Sequence, residues 1–120
     1  MKKNSNLIGS KAEDLACEYI TKLGYKIVKR NFHFGRLGEI DIIAYDNDIL
    51  VFIEVKARSK NSYGNPIDYI TPKKQAIIKK VAEGYYYVNN IQEQEARFDV
   101  ILIDLDKSLP KIEYIKNAFL

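Results

Sequence analysis

The chain contains one cysteine, one histidine and no tryptophan. A lone Cys17 excludes an internal disulfide framework and a cysteine-rich zinc site, and it suits a reducing compartment. The lone His33 sits between Phe32 and Phe34 and receives no catalytic role. There is no Gly-rich phosphate loop and no Ser-His-Asp arrangement. Apolar runs are short: nowhere do about 18 apolar residues follow one another, which excludes a transmembrane helix. The opening "MKKNSNLIGSKAED" has two lysines but lacks the apolar run of a signal peptide. The expectation is therefore a cytoplasmic protein without a membrane partner or a small-molecule cofactor.

What remains is an ordinary globular composition, 47% hydrophobic and 29% charged, over 120 residues. That length supports one domain, 1–120, with a core that needs no staples. The net charge of +3 is too small to diagnose a nucleic-acid binder, but its distribution is uneven. Residues 1–36 carry a net +5, 37–70 a net −3, 71–88 a net +3 and 89–120 a net −2. An acidic middle flanked by basic segments can bind cations while its flanks hold an anionic polymer.

No internal repeat, low-complexity tract or linker interrupts the chain. "SKAEDLACEYITKLG" has helical spacing at 12, 15, 16, 19, 20 and 23, with Ser10 as N-cap and Gly24 as stop. "YKIVKRNF" (25–32) reads as a strand and "HFGRLG" (33–38) as a loop. A hairpin follows, then a polar surface loop over 56–66. A second helix begins at Thr71-Pro72, its apolar stripe being Ile77, Ile78, Val81, Ala82 and Tyr85. Strands at 97–105 and 111–115 close the order α-β-β-β-α-β-β. The fold class is α/β, a mixed central sheet flanked by helices.

The hairpin "EIDIIAYDNDILVFIEVK" carries the chemistry. A two-residue turn at Asn47-Asp48 sets Asp41 across from Glu54 and Glu39 across from Lys56, all on one face with Ile43, Tyr45, Leu50 and Phe52. Ile40, Ile42, Ala44, Val51, Ile53 and Val55 form the other face. Strands apolar on both faces belong inside a covered sheet. Two carboxylates opposed there at about 5 Å repel by roughly 3 kcal/mol at an effective dielectric near 20. A divalent cation offsets that cost, and Mg²⁺ or Mn²⁺ prefers such hard oxygen ligands. Asp41 and Glu54 would hold it, with the Val55 carbonyl as a further ligand. Phosphodiester hydrolysis is chemistry that wants such a site, and in it Lys56 would orient the attacking water, stabilise the phosphorane or act as a base. A plain cross-strand ion pair would account for Glu39 and Lys56, but not for Asp41 opposite Glu54.

Asp41, twelve residues, then Glu54-Val55-Lys56 resembles the D…(D/E)xK signature of the PD-(D/E)XK nucleases, whose αβββαβ restriction-endonuclease-like core fits the element order. More closely, "GEIDIIA", "VFIEVKAR", "TPKKQ" and "RFDVILID" resemble the YraN-like family of small bacterial proteins, from about Ser10 to Phe119. That family is similar in turn to archaeal Holliday-junction resolvases. The resemblance implies a metal-dependent DNA endonuclease, acting on branched or structured DNA, and a homodimer where a four-way junction is resolved symmetrically. Other readings are a nucleic-acid-binding module with little catalysis and a structural protein whose charges only pair.

The resemblance further implies that Glu13, on the first helix, is a metal ligand. The pattern Ser10-Lys11-Ala12-Glu13 equally reads as a capping box, and related sequences commonly have Gly where Ala12 stands. Glu39 reads as a supporting or ligating residue. Gln75 and Lys74 resemble an extra polar position after the E-x-K strand. Arg36, Arg58, Lys60 and Asn31 bracket the site as phosphate contacts, with Lys73, Lys74, Lys79 and Lys80 as a basic helix flank. Tyr85, Tyr86 and Tyr87 either stack on unpaired bases or pack at the core and its rim.

Overall fold

The computed structural model describes residues 2–58, 70–105 and 108–120, with backbone alone for 2–8. The order is α1 (Lys2–Lys22), β1 (Lys26–Phe34), β2 (Gly38–Asp46), β3 (Ile49–Arg58), α2 (Pro72–Val88), β4 (Ala96–Asp104) and β5 (Lys111–Phe119). The strands form one sheet in that order, antiparallel throughout except for β3 beside β4. Parallel neighbours need a crossover, and α2 lies on it. This is a mixed α/β sheet flanked by two helices, the restriction-endonuclease-like core expected from the sequence.

Each face of the sheet has its own apolar layer. Phe32, Ile40, Ile43, Leu50, Phe52, Val100 and Leu102 pack with Ile78, Val81, Ala82 and Tyr85 of α2. Ile42, Ala44, Val51, Ile53, Ile101 and Ile103 pack with Ala12, Ala16 and Ile20 of α1. Central strands buried on both sides explain why β3 and β4 read as continuous apolar runs. The small Ala12 and Ala16 sit at i, i+4 and are fully buried against the strands.

Helix α1 ends as its sequence directs. Gly24 adopts φ +96°, its N–H donates to the Thr21 carbonyl, and the Tyr25 N–H donates to the Ile20 carbonyl. These two bonds are the Schellman pattern. The start differs from expectation: the helix begins at Lys2, so Ser10 lies in its interior and caps nothing. No proline stands between Lys2 and Ser10, and Gly9 costs a helix only about 1 kcal/mol. The start of α2 is as read, with Thr71 accepting from the Lys74 N–H at 3.1 Å and Pro72 in the first turn.

The hairpin register is also as read. Asp46 faces Ile49, and the pairs run through Tyr45–Leu50, Ala44–Val51 and Ile43–Phe52 to Ile42–Ile53. Asn47 supplies the positive φ of the turn, 55°. The expected loop at 33–38 shrinks to Gly35–Leu37, because β1 and β2 pair up to Phe34–Gly38. At the other end Lys56, Ala57 and Arg58 continue β3 beside β4; the rest of the expected 56–66 loop lies outside the described residues.

Candidate active site

Beyond Ile42–Ile53 the two strands of the hairpin part. The first residues of β2 continue beside β1, while the last of β3 continue beside β4. Asp41 stands at the fork. Its Oδ2 accepts the Val55 N–H at 2.8 Å, so the side chain takes the place of a ladder carbonyl. Asp41 and Glu54 meet through their side chains at this fork instead of as opposed members of a rung.

Opposite Asp41, β1 is irregular too. Asn31 adopts φ 52°, and no pairing links it to Asp41, although Arg30–Ile42 and Phe32–Ile40 pair on either side. The irregularity switches faces. Phe32 and Ile40 pack under α2, whereas Ile42 packs under α1. Strict alternation, which placed Ile40 with Ile42, therefore fails at this step.

Glu39 is the second correction. It does not face Lys56; it pairs with His33 of β1, with Nε2 and Oε2 3.5 Å apart. The cause is the same: at Glu39 the strand has already left β3.

The carboxyl pair is buried and strained electrostatically. Glu54 is 6% exposed, and among the described residues its Oε1 has no hydrogen-bond partner. Burial, then the nearby Glu54, push the Asp41 carboxyl up to about 8, against the lowering effect of the Val55 N–H. Burial likewise raises Glu54, offset by Lys74, Asp41 and Lys56. At neutral pH the pair therefore holds a proton, which relieves the repulsion expected of two ionised carboxylates.

The cation in contact with Glu54 is Lys74, from the first turn of α2, with Nζ 3.6 Å from Oε2. Lys56 acts on Glu54 through its charge from two residues along β3. Glu13 lies close enough to raise Asp41 by its charge, but its carboxylate is 3.5 Å from Arg30, which also holds Asp14 at 2.9 Å. Since Ser10 is not a cap, the capping-box reading of Glu13 falls, and Glu13 stands at the edge of the site as a partner of Arg30.

The remaining sequence candidates disperse. The Gln75 amide donates to the Ile70 carbonyl at 3.0 Å and ties down the approach to α2. Arg58 is engaged by Glu113 of β5 at 3.0 Å. Arg36 is exposed in the β1–β2 turn, and Lys73, Lys79 and Lys80 are exposed along α2. Lys60 lies outside the described residues. Tyr85 is core, Tyr86 is half-buried with its hydroxyl on the Gln94 carbonyl at 2.9 Å, and Tyr87 is exposed. Cys17 packs beside the α1 layer, and burial pushes its thiol up, the opposite of an activated nucleophile.

Among the described residues no group of three or more His, Cys, Asp or Glu side chains is arranged to hold a metal. The donor set is two carboxylates, one oxygen of which is buried without a partner. That fits Mg²⁺ or Mn²⁺, which are commonly held by one or two carboxylates with water and substrate phosphate completing the shell. It does not fit a closed structural site, which needs four protein ligands.

One polar cluster was missed. Asp99, fully buried under α1, accepts from Arg97 Nε at 3.0 Å, from the Tyr114 hydroxyl and from the Asn117 N–H at 2.9 Å. Arg97 also reaches Asp46 at 2.9 Å and the Tyr25 hydroxyl at 2.7 Å. The signal was present, since Arg97 and Asp99 share a strand face, but their partners come from three other segments. Every oxygen of Asp99 is satisfied, which makes this a structural lock and contrasts it with Glu54.

The chain matches the model of the uncharacterised protein family UPF0102 over residues 12–103. A UPF0102 protein of Clostridium perfringens is 41% identical over 99% of this chain and 98% of its own length. One from Alkaliphilus oremlandii is 44% identical over 93% and 97%, and one from Geobacter sulfurreducens 44% identical over 97% and 91%. The matched span holds the fork, Glu13, Lys56, Lys74 and the Arg97–Asp99 pair. The YraN-like words read in the sequence thus belong to a match that runs nearly end to end: the chain is a member of the UPF0102 family.

Proposed function

We propose that the protein is a divalent-metal-dependent endonuclease that hydrolyses phosphodiester bonds of DNA, with branched or structured DNA as the preferred substrate. The observation that carries this reading is the forked-strand carboxyl pair: Asp41 and Glu54 buried together, Glu54 Oε1 without a partner among the described residues, and Lys56 and Lys74 beside them. A buried, half-satisfied acidic pair is costly to fold, and such sites concentrate where chemistry needs them.

In this reading Asp41 and Glu54 would hold Mg²⁺ or Mn²⁺, with the Val55 carbonyl as a further ligand, and the bound cation would supply charge stabilisation and an acidified water. The Val55 N–H fixes the Asp41 carboxylate, so the donor set is oriented before substrate arrives. Lys56 stabilises the charge that develops on the phosphorane. Arg36, Lys73 and the exposed lysines of α2 supply phosphate contacts without reading sequence. The reading includes a cytoplasmic location and, for symmetric resolution of a junction, a homodimer. No helix among the described residues is long and apolar enough to cross a membrane.

The test is cleavage of a labelled four-way junction and a matched linear duplex, with Mg²⁺, with Mn²⁺ and with chelator. Wild type should cut the junction with either metal. Glu54→Gln and Lys56→Ala should lower the rate by at least about a hundredfold, while Glu54→Gln still binds DNA. A wild type that binds DNA but cuts nothing with any metal would instead make the chain a binding module.

A further inference from the structure

Lys74 stands where a lysine is unfavourable. It is in the first turn of α2, whose N-terminus carries partial positive charge, next to Lys73 and with no acidic residue in that turn. Its backbone is fixed by the Thr71 hydroxyl, while its side chain is 40% exposed and reaches the 7%-exposed side chain of Glu54. So one end of Lys74 is anchored, and the other has room to leave.

We propose that Lys74 is an internal counter-ion: it occupies the Glu54 carboxylate in the cation-free protein and turns to a substrate phosphate once a divalent cation takes Glu54. The inference rests on the metal-site reading above and adds a role to a residue outside the carboxyl pair.

Two features argue for exchange over a permanent ion pair. The contact engages Glu54 Oε2 at 3.6 Å, and among the described residues Oε1 has no partner, so Lys74 does not satisfy the carboxylate it neutralises. A cation held by Asp41 and Glu54 would compete with Lys74 for the Glu54 carboxylate and repel the ammonium next to it. The freed ammonium then lies at a helix N-terminus, where an anionic phosphate is already favoured. Binding the cation and binding the phosphate are thereby linked through one side chain.

The experiment has two parts. Mn²⁺ is titrated into wild type, Lys74→Gln, Lys74→Arg and Glu54→Gln at fixed pH without DNA, and the free ion is followed by electron paramagnetic resonance. Lys74→Gln should bind Mn²⁺ about tenfold tighter than wild type. Lys74→Arg should match wild type, and Glu54→Gln should lose the site. Equal affinity in wild type and Lys74→Gln, with loss in Glu54→Gln, overturns the counter-ion role and leaves the metal site standing. No Mn²⁺ binding in either overturns both.

The second part measures duplex affinity against salt, with non-catalytic Ca²⁺ and with chelator. With Ca²⁺, Lys74→Gln should show a salt slope shallower than wild type by about 0.9, one phosphate contact, and with chelator no difference. The same difference in both conditions makes Lys74 an ordinary standing phosphate contact. No difference in either, or no DNA binding, overturns the hand-over.

Discussion

Asp41 answers two demands at once: its Oδ2 closes the fork by accepting the Val55 N–H, and its charge is resisted by burial and by Glu54. The second demand has a consequence for stability. Asp41 is raised from 3.8 to about 8, so between those values the folded chain keeps a proton that the unfolded chain has released. Stability therefore falls as pH rises across that window, by about 1.4 kcal/mol per unit for one such proton, and levels off above it. Asp41→Asn keeps an acceptor for the Val55 N–H and has no charge to desolvate. Urea denaturation from pH 5 to 9 should show a flatter profile in this variant and greater stability than wild type at pH 8.5. Parallel profiles would place the titration elsewhere. The residue types of the site were legible, because alternation alone puts Asp41, Glu54 and Lys56 near one strand end. The partner of Glu54 was not legible, since Lys74 arrives with α2, twenty residues along the chain, and no hairpin register locates a helix.

At the scale of elements, local rules worked where one segment decides the outcome. The Gly24 stop, the Thr71-Pro72 start and the Asn47-Asp48 turn each follow from the conformational preferences of the residues at that point. They failed where a strand parts from one of its two neighbours. At Asp41 β2 parts from β3 while it stays paired with β1, so Ile40 changes face and Glu39 has His33 for a partner, and a pattern read along one hairpin cannot anticipate a neighbour outside it. Helix α2 provides a test of how the elements are locked. Gly84 lies against the Phe34 ring, and a Cβ there would overlap the ring. Helix propensity alone favours alanine by about 1 kcal/mol. Overpacking should win, so Gly84→Ala should destabilise the protein by about 1–3 kcal/mol in urea. A gain in stability would mean that α2 can shift away from β1 at little cost.

Across the whole molecule, two polar sites share one sheet and are built on opposite principles. The Asp99 cluster, under α1, satisfies its buried carboxylate with an arginine, a tyrosine and a backbone N–H, and it joins β4 to β5 and to the hairpin turn through Arg97 and Asp46. Burial and Asp99 push the Tyr114 hydroxyl well above its ordinary range, so that cluster stays fixed through neutral pH. The fork, on the α2 side, lies one residue along β3, since Asp99 pairs with Ile53 beside Glu54, and it leaves Glu54 Oε1 without a partner among the described residues. The αβββαβ order and the two-faced burial of the hairpin were readable from periodicity, because every central strand is apolar on both sides. The contrast between a closed and an open polar site was not, because it depends on which groups separate segments of the chain bring together.

On the function proposed above, the open site holds a divalent cation. The most direct test is a crystal of the wild-type protein grown with Mn²⁺, measured at a wavelength where manganese scatters anomalously. One strong anomalous peak is expected within coordination distance of both the Asp41 and Glu54 carboxylates, with the Lys74 ammonium turned away from Glu54. A map without a peak at the fork under saturating Mn²⁺, and with Lys74 still on Glu54, would contradict it.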